Sequence, residues 1–401
     1  MRKIINDPVH SFITINDELI MQVISHPYYQ RLRRIKQMAM AYLVYPGAMH
    51  TRFQHSLGAY HLMCLALDEL KQKGNEITAQ EEQGAKIAIL LHDIGHGPFS
   101  HALEETLVNV KHEEISLLIM QALNKELGGK LQTAINIFLG KDCKPFLHQL
   151  VSSQLDVDRL DYLARDSFFT GVSEGVIGYD RIIKMLTVHN NQLAVEEKGI
   201  HSIEKFLIAR RLMYWQVYLH KTVLSSEKLL VKILQRAKDI VRGKGEVFGS
   251  PAFQFFLQND FTLFDFETNE KCLKCFITLD DYDLLGAIKV WCTHEDMVLR
   301  SLSRRLVNRN LLKTIFLNEK DEVLLETIKK EVQERLNVTN EELVYFIIND
   351  STSNMAYNVN EENINIVFKN GEIKDITQID NSLIANSVGT AVKKYYICYP
   401  K

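Results

Sequence analysis

From about Asp17 onward, apolar residues recur every third or fourth position through most of the chain, the period of helices that bury one face. Before that point FITIND alternates apolar and polar positions as a strand does, and Asn6-Asp7-Pro8 marks a turn. Thr78-Ala-Gln-Glu81 has capping-box spacing ahead of QGAKIAILLHD, which predicts a helix from near Ala79 to Asp93. Gly95 and Gly97-Pro98 end it, and SHALEETL begins another. LDVDRLDYLARDSFF and the long run from HSIEKFLIARR to KILQRAKDIV carry the same helical period. Between them, DRIIKMLTVHNNQLAVEEKGIHS predicts a helix and then a hairpin turning at Asn190-Asn191. A further helical stretch is expected from about Asp280 to Leu317. The pattern then changes: ELVYFIIND, NINIVFKNGEIKDI and KKYYICYP are β-rich, with Asn370-Gly371 a hairpin turn. The expectation is a mainly α body over residues 1–320 and a small α/β region over 321–401, without repeats or low-complexity tracts.

Composition narrows the class only a little. The 401 residues are 46% hydrophobic and 24% charged, enough for a large core. With 47 basic and 50 acidic residues the formal net charge is −3, so nucleic acid as a partner is possible but not indicated. The N-terminus lacks the apolar run of a signal peptide, and no stretch approaches about 20 uninterrupted apolar residues. A cytoplasmic protein without membrane contact is expected. The six cysteines are scattered like reduced thiols. Cys272 and Cys275 form a C-x-x-C, but no second pair at zinc spacing accompanies them, and a structural role is expected.

The candidate chemistry lies in three segments, HTRFQHSLGAYH, LLHDIGHGPFSHALEE and LDVDRLDYLARD, which place histidines and aspartates in helix-forming contexts. Imidazole takes Zn, Fe, Mn or Ni, and carboxylate takes harder ions. Neighbours in a helix are about 100° apart, so His92 and Asp93 can reach one ion only at a helix end, which Gly95 supplies. Arg52, three residues before His55, falls on the side of that ion if its segment is helical. Arg159, Tyr162 and Asp166 follow Asp158 along one helix, and Arg210, Tyr214 and Tyr218 form a stripe at i, i+4 and i+8. His101 and Glu104, three apart, could pair a proton donor with an orienting carboxylate.

The order H…HD…D, filled by His55, His92-Asp93 and Asp158, resembles the HD-domain phosphohydrolase superfamily. NDPVH, QRLRRIKQ, YPGAMHTRFQHSLG, HDIGHGPFSH, DVDRLDYLARD and RRLMYWQVYLHK together are similar to its deoxynucleoside-triphosphate triphosphohydrolase branch, from about residue 3 to about 315. The resemblance implies an HD-domain helical core with short β-hairpins and a metal-site core over about 50–170. It implies one divalent ion (Mn, Fe, Zn or Ni) on His55, His92, Asp93 and Asp158, and Mg²⁺ at a second position supported by substrate phosphates. Water would attack the α-phosphorus of a dNTP to release deoxynucleoside and triphosphate, with His101, Glu104, His96 and His112 as active-site groups. Arg52, Arg159 and Arg210 would contact phosphate, Gln37, Tyr162 and Asp166 the sugar, and Tyr218 the base, with Leu219 beside it. Lys3, Ile4, Asn6, Gln30, Arg33, Lys198, His220 and Lys221 match a nucleotide-activator pocket at an oligomer interface, and the expected assembly is a homodimer or homotetramer. Ser25, Thr187 and Glu196 depart from that pocket, which implies an altered or absent switch. Two other readings stay open: an HD phosphohydrolase for a monophosphate or cyclic dinucleotide, and a non-catalytic nucleic-acid-binding or signalling module.

Overall fold

The computed structural model describes residues 2–99, 104, 106–354, 357, 362–379 and 392–401. Among these residues the chain is mainly α. A hairpin of β1 (Lys3–Asp7) and β2 (Ser11–Ile15) comes first, followed by α1 (Glu18–Ser25) and α2 (Pro27–Gln30). The body is built on α3 (Arg52–Gln72), α4 (Ala79–Leu91), α5 (His112–Glu126), α6 (Gln132–Leu139), α7 (Pro145–Val151) and α8 (Val157–Thr170). α3 packs against both α4 and α8, and these three helices and their ends carry the candidate ligands His55, His92, Asp93 and Asp158. No described helix is long and apolar enough to cross a membrane.

Local signals explain where these helices begin and end. α4 starts at the expected capping box, with Thr78 N–H donating to Glu81 at 2.8 Å and Glu81 N–H donating to Thr78 Oγ1 at 3.2 Å. It stops at Leu91, two residues before Asp93, so His92 caps the helix and Asp93 lies in the turn beyond. α8 is capped by Asp156, which accepts from Ser153 and Arg159 N–H at 2.8 and 2.7 Å. The segment expected to start a helix at SHALEETL falls largely outside the described residues.

Beyond α9 (Tyr179–Met185), β3 (Leu186–His189) and β4 (Gln192–Glu196) form the expected hairpin, with both Asn190 and Asn191 at positive φ. α10 (Ile200–Met213) runs into a π-helical turn, Tyr214–Tyr218, before α11 (Lys221–Arg242). Then come α12 (Pro251–Gln258), α13 (Leu263–Thr268), α14 (Glu270–Phe276), α15 (Asp281–Trp291) and α16 (Met297–Val307).

The helical stretch expected to reach Leu317 ends ten residues earlier. Arg309 turns at φ 54°, and the β-branched and aromatic run KTIFL becomes β5 (Lys313–Leu317). ELVYFIIND also differs from its strand-like reading. Thr339 and Glu342 form a capping box that starts α18 (Asn340–Phe346), after α17 (Glu322–Leu336), and only then does β6 (Ile348–Asn354) begin. β7 (Asn365–Val367) and β8 (Ile373–Asp375) form the hairpin expected at Asn370-Gly371. β9 (Val392–Tyr399) lies between β5 and β6, and β7 pairs in parallel with β4. Strand pairing therefore crosses position 320 twice.

Candidate metal centre and active site

α3 begins at Arg52, so His55 sits one turn in and is fully buried where α3 crosses α8. Its Nε2 lies 3.0 Å from Asp158 Oδ1 and 3.8 Å from Asp93 Oδ2. His92 Nε2 lies 3.4 Å from both Asp93 Oδ1 and Asp158 Oδ1. Two contacts fix which nitrogen faces this cluster. His55 Nδ1 donates to Asp161 at 2.8 Å, and His92 Nδ1 donates to the Ile89 carbonyl at 2.7 Å. Both Nε2 atoms are buried and neither makes a well-aligned hydrogen bond, despite the carboxylates beside them. His55, His92 and Asp93 each bring a ligand atom to within 4.8 Å of the others. Two outward-turned imidazole nitrogens beside two carboxylates fit a divalent cation, which these four side chains could hold.

Electrostatics agree with that fit. Burial alone would lower the pKa of His55, but Asp158 and Asp161 outweigh it and hold the pKa up at about 10. His92 is likewise raised against burial, by Asp93 and Asp158. Asp93 stays well below the usual carboxylate range against its burial, chiefly through His92 and Arg52. The carboxylates thus favour positive charge on both imidazoles, a role that a bound cation could take over.

Close backbone approach makes the cluster possible. A Cβ on Gly58 would lie 1.9 Å from Asp161 Oδ1 and 2.2 Å from an Arg165 nitrogen, so only glycine lets α8 cross α3 here. A Cβ on Gly95 would lie 2.2 Å from the His112 carbonyl. Ser116 bridges that junction, accepting from Gly95 N–H and donating to the His92 carbonyl, both at 2.9 Å.

A second group stands beside the first. His96 and His112 stack at 3.8 Å, and with Asp93 their ligand atoms lie within 4.8 Å of one another. Glu104 approaches His112 Nδ1 at 2.9 Å and His96 Nδ1 at 3.6 Å. Burial and the Arg52 guanidinium hold the His96 pKa well below the usual histidine value, so that ring is neutral. His101, the expected partner of Glu104, lies outside the described residues.

Both groups open on a cavity of about 440 Å³. Among its lining residues are all three expected phosphate-contacting arginines, each already engaged. Arg52 donates to Asp93, Arg159 to the buried Asp156, and Arg210 to Gln154 at 3.1 Å. Gln37, Tyr162, Asp166, Tyr214 and Tyr218 also line it. Asp166 accepts from His50 Nε2 and from the Tyr218 hydroxyl, both at 2.7 Å. Gln37 Oε1 is buried without a hydrogen-bond partner among the described residues. Leu219 does not line the cavity; Val223 and Glu227, further along α11, do.

None of the eight expected activator residues lines this cavity. Lys3, Ile4 and Asn6 are exposed on β1, and Lys198 and Lys221 are exposed as well. Arg33 donates to Gln30 at 2.8 Å and lies over Phe53, Gln30 donates to the Ile24 carbonyl, and His220 caps α11. Glu196 is bound by Lys73 at 2.7 Å. Cys272 is buried in α14, and no potential metal-binding group among the described residues includes it or Cys275.

Several side chains that support the cluster or line the cavity escaped the sequence reading. Asp161 accepts from His10, His55 and Arg165, and Arg165 also donates to Asp7 at 2.8 Å. Their signal was present: Asp161 lies one turn beyond Asp158, and Asp7 and His10 belong to NDPVH. His50 belongs to YPGAMHTRF. Glu227 has no motif to reveal it.

The HD domain family matches residues 52–166, and the HD associated region matches 177–245. YwfO of Bacillus subtilis is 32% identical across 100% of this chain and 92% of its own length. The SAMHD1 homolog of Dictyostelium discoideum, a deoxynucleoside triphosphate triphosphohydrolase, is 30% identical over 82% of this chain and 62% of its own length. The crystal structure of a phosphohydrolase from Bacteroides thetaiotaomicron superposes with a TM-score of 0.96 at 50% identity, covering 100% of both chains. With this fold, a paired His/Asp cluster that suits a divalent ion and relatives over its whole length, the chain belongs to the HD-domain phosphohydrolases, metal-dependent enzymes, in the branch that includes the SAMHD1 proteins.

Proposed function

We propose that the cavity hydrolyses deoxynucleoside triphosphates to deoxynucleoside and triphosphate. The observation that carries this reading is the lining of one cavity by Asp93, Asp158, His96 and His112 with three arginines and the Asp166–Tyr218 pair. A metal ion held by His55, His92, Asp93 and Asp158 would acidify a bound water and neutralise phosphate charge. The remaining chemistry belongs to the chain. Arg52, Arg159 and Arg210 grip the polyphosphate, because a planar guanidinium can bind two phosphate oxygens while its other nitrogens keep their present partners. Asp166, held by His50 and Tyr218, and the unpartnered Gln37 Oε1 receive the sugar hydroxyl. Water adds to the α-phosphorus and releases a proton to solvent, the bond to O5′ breaks, and O5′ takes a proton from protonated His101, which solvent then restores. Glu104 orients the adjoining imidazoles.

The test is to incubate the purified protein with each dNTP, NTP and dNMP plus Mn²⁺ or Mg²⁺ and to resolve the products. Intact triphosphate from a dNTP is expected; stepwise phosphate release, or inertness towards every dNTP, sinks the reading. His101→Ala should keep its metal and lose turnover, and a fully active variant removes His101 from the proton transfer. Added dGTP is expected not to accelerate hydrolysis of a second dNTP, since Glu196 sets negative charge where an activator's phosphates would lie; acceleration overturns that part.

A further inference from the structure

Glu227 has no part in the chemistry above, yet its side chain faces the same cavity. It lies on α11, one turn after Val223, which lines the cavity with it. Their position follows from the chain. Asp166 is eight residues beyond Asp158 in α8, about 12 Å along the axis. Tyr218, bonded to Asp166, ends the π-helical turn just before α11 begins. Val223 and Glu227 follow Tyr218 along the next two turns of chain, on the stretch of α11 that packs on the Ala41–Leu43 turn. Met38, Ala39, Ala41 and Val223 give the same cavity apolar wall.

A carboxyl group in such a place needs donors. Glu227 has no hydrogen bond or ion pair among the described residues. Burial pushes its pKa up to about 7, and Lys228, which opposes that shift, gives its own ammonium to Asp350 at 2.9 Å. Glu227 is half-buried, and a carboxylate partly withdrawn from water without protein donors gains from a ligand that supplies two.

We infer that Glu227 reads the nucleobase and selects guanine. The inference rests on the cavity being a nucleotide site. Guanine presents two adjacent N–H donors, N1–H and N2–H, which match both oxygens of one carboxylate. Adenine and cytosine each set an amine beside an acceptor nitrogen, and thymine sets its one N–H between two carbonyls. Each of these leaves an oxygen of Glu227 unmatched or opposed.

The experiment measures binding apart from turnover. The four α,β-imido dNTP analogues are titrated by calorimetry, with Mn²⁺ present, into the parent protein and into Glu227→Gln and Glu227→Ala. The dGTP analogue should bind the parent tightest and the dTTP analogue weakest. In Glu227→Gln the dGTP-to-dATP affinity ratio should fall about tenfold or more, because the new amide opposes one guanine donor and matches the adenine edge. Glu227→Ala should lower that ratio too, and Glu227→Gln keeps the test open if the alanine variant fails to fold. Equal affinities for all four analogues in the parent overturn the inference, as does a uniform loss across bases in Glu227→Gln. Guanine-selective binding without dNTP hydrolysis upholds Glu227 and sinks the proposed reaction. Binding of none of the analogues overturns both.

Discussion

His55 can serve a cation only while its Nε2 lone pair faces outward, and Asp161 secures this by accepting the Nδ1 proton at 2.8 Å. Asp161 carries that duty as a buried anion, stabilised by His10 at 2.6 Å and by Arg165 at 2.9 Å. Asp161→Asn weakens its hold on both neighbours and frees the ring, so metal affinity should fall about 10- to 100-fold. Mn²⁺ titration by calorimetry would check this, and unchanged affinity would show that Asp161 serves only the fold. The same residues set a pH dependence. Before a cation binds, His55 and His92 hold their protons to higher pH than a free histidine, against their own burial. A metal must displace those protons, so affinity should rise with pH from 6.5 to 8.5, by up to about tenfold per unit for each proton released. A flat profile means that the ligands are already deprotonated.

At the scale of elements, the π-helical turn between α10 and α11 carries two of the aromatic residues of the cavity. It brings both Tyr214 and Tyr218 to the cavity, with their rings 5.1 Å apart, and lets the Tyr218 hydroxyl reach Asp166 on α8. Burial and Asp166 keep that hydroxyl's pKa well above its ordinary value, so it remains a donor. Tyr218→Phe removes the donor and leaves the buried Asp166 with His50 alone of this pair. In steady-state assays with a dNTP, KM should rise about tenfold, with a smaller change in kcat, since the interaction belongs to sugar positioning and not to bond breaking. An unchanged KM would separate the turn from substrate binding.

At the scale of the molecule, the active-site loop is held from a distant part of the chain. Arg31 is fully buried and donates to the carbonyls of Leu279, Ile94 and His96, at 2.7, 3.3 and 2.9 Å. Asp281 adds to the clamp, accepting from the backbone N–H of Lys36 and Phe99 at 2.9 and 3.1 Å. Burial lowers the Arg31 pKa to about 9, which still leaves the group charged at neutral pH. Arg31→Met would leave three buried carbonyls without this donor, at a cost of about 3 kcal/mol or more. Urea unfolding should record the loss, and turnover should fall with it because His96 is released from its position. Unaltered stability would mean that water takes over those carbonyls.

Much of this was legible in the sequence wherever the physics is local. The α4 capping box, the Asn190-Asn191 and Asn370-Gly371 turns and the helix end at His92-Asp93 each follow from residues within four or five positions of one another. The candidate ligands were readable because a single ion would constrain all four residues at once, and the structure brings their side chains together. Glycines 58 and 95 stood inside those motifs, but only the crossing of α3 with α8 and of the His92 turn with α5 gives the reason for them. KTIFL became a strand because YYICY, eighty residues later, supplies the hydrogen-bonding edge that no local pattern records. The same holds for Asp161, Arg31 and Glu227. Periodicity makes each a single charge on a helix or in a turn, while tertiary packing buries Asp161 and Arg31 among partners and leaves Glu227 half-buried at an apolar cavity wall without a donor. Local propensity therefore determined most helices and turns and the motif spacing marked the candidate ligands, whereas packing across long sequence separations decided what orients those side chains and which residues line the cavity.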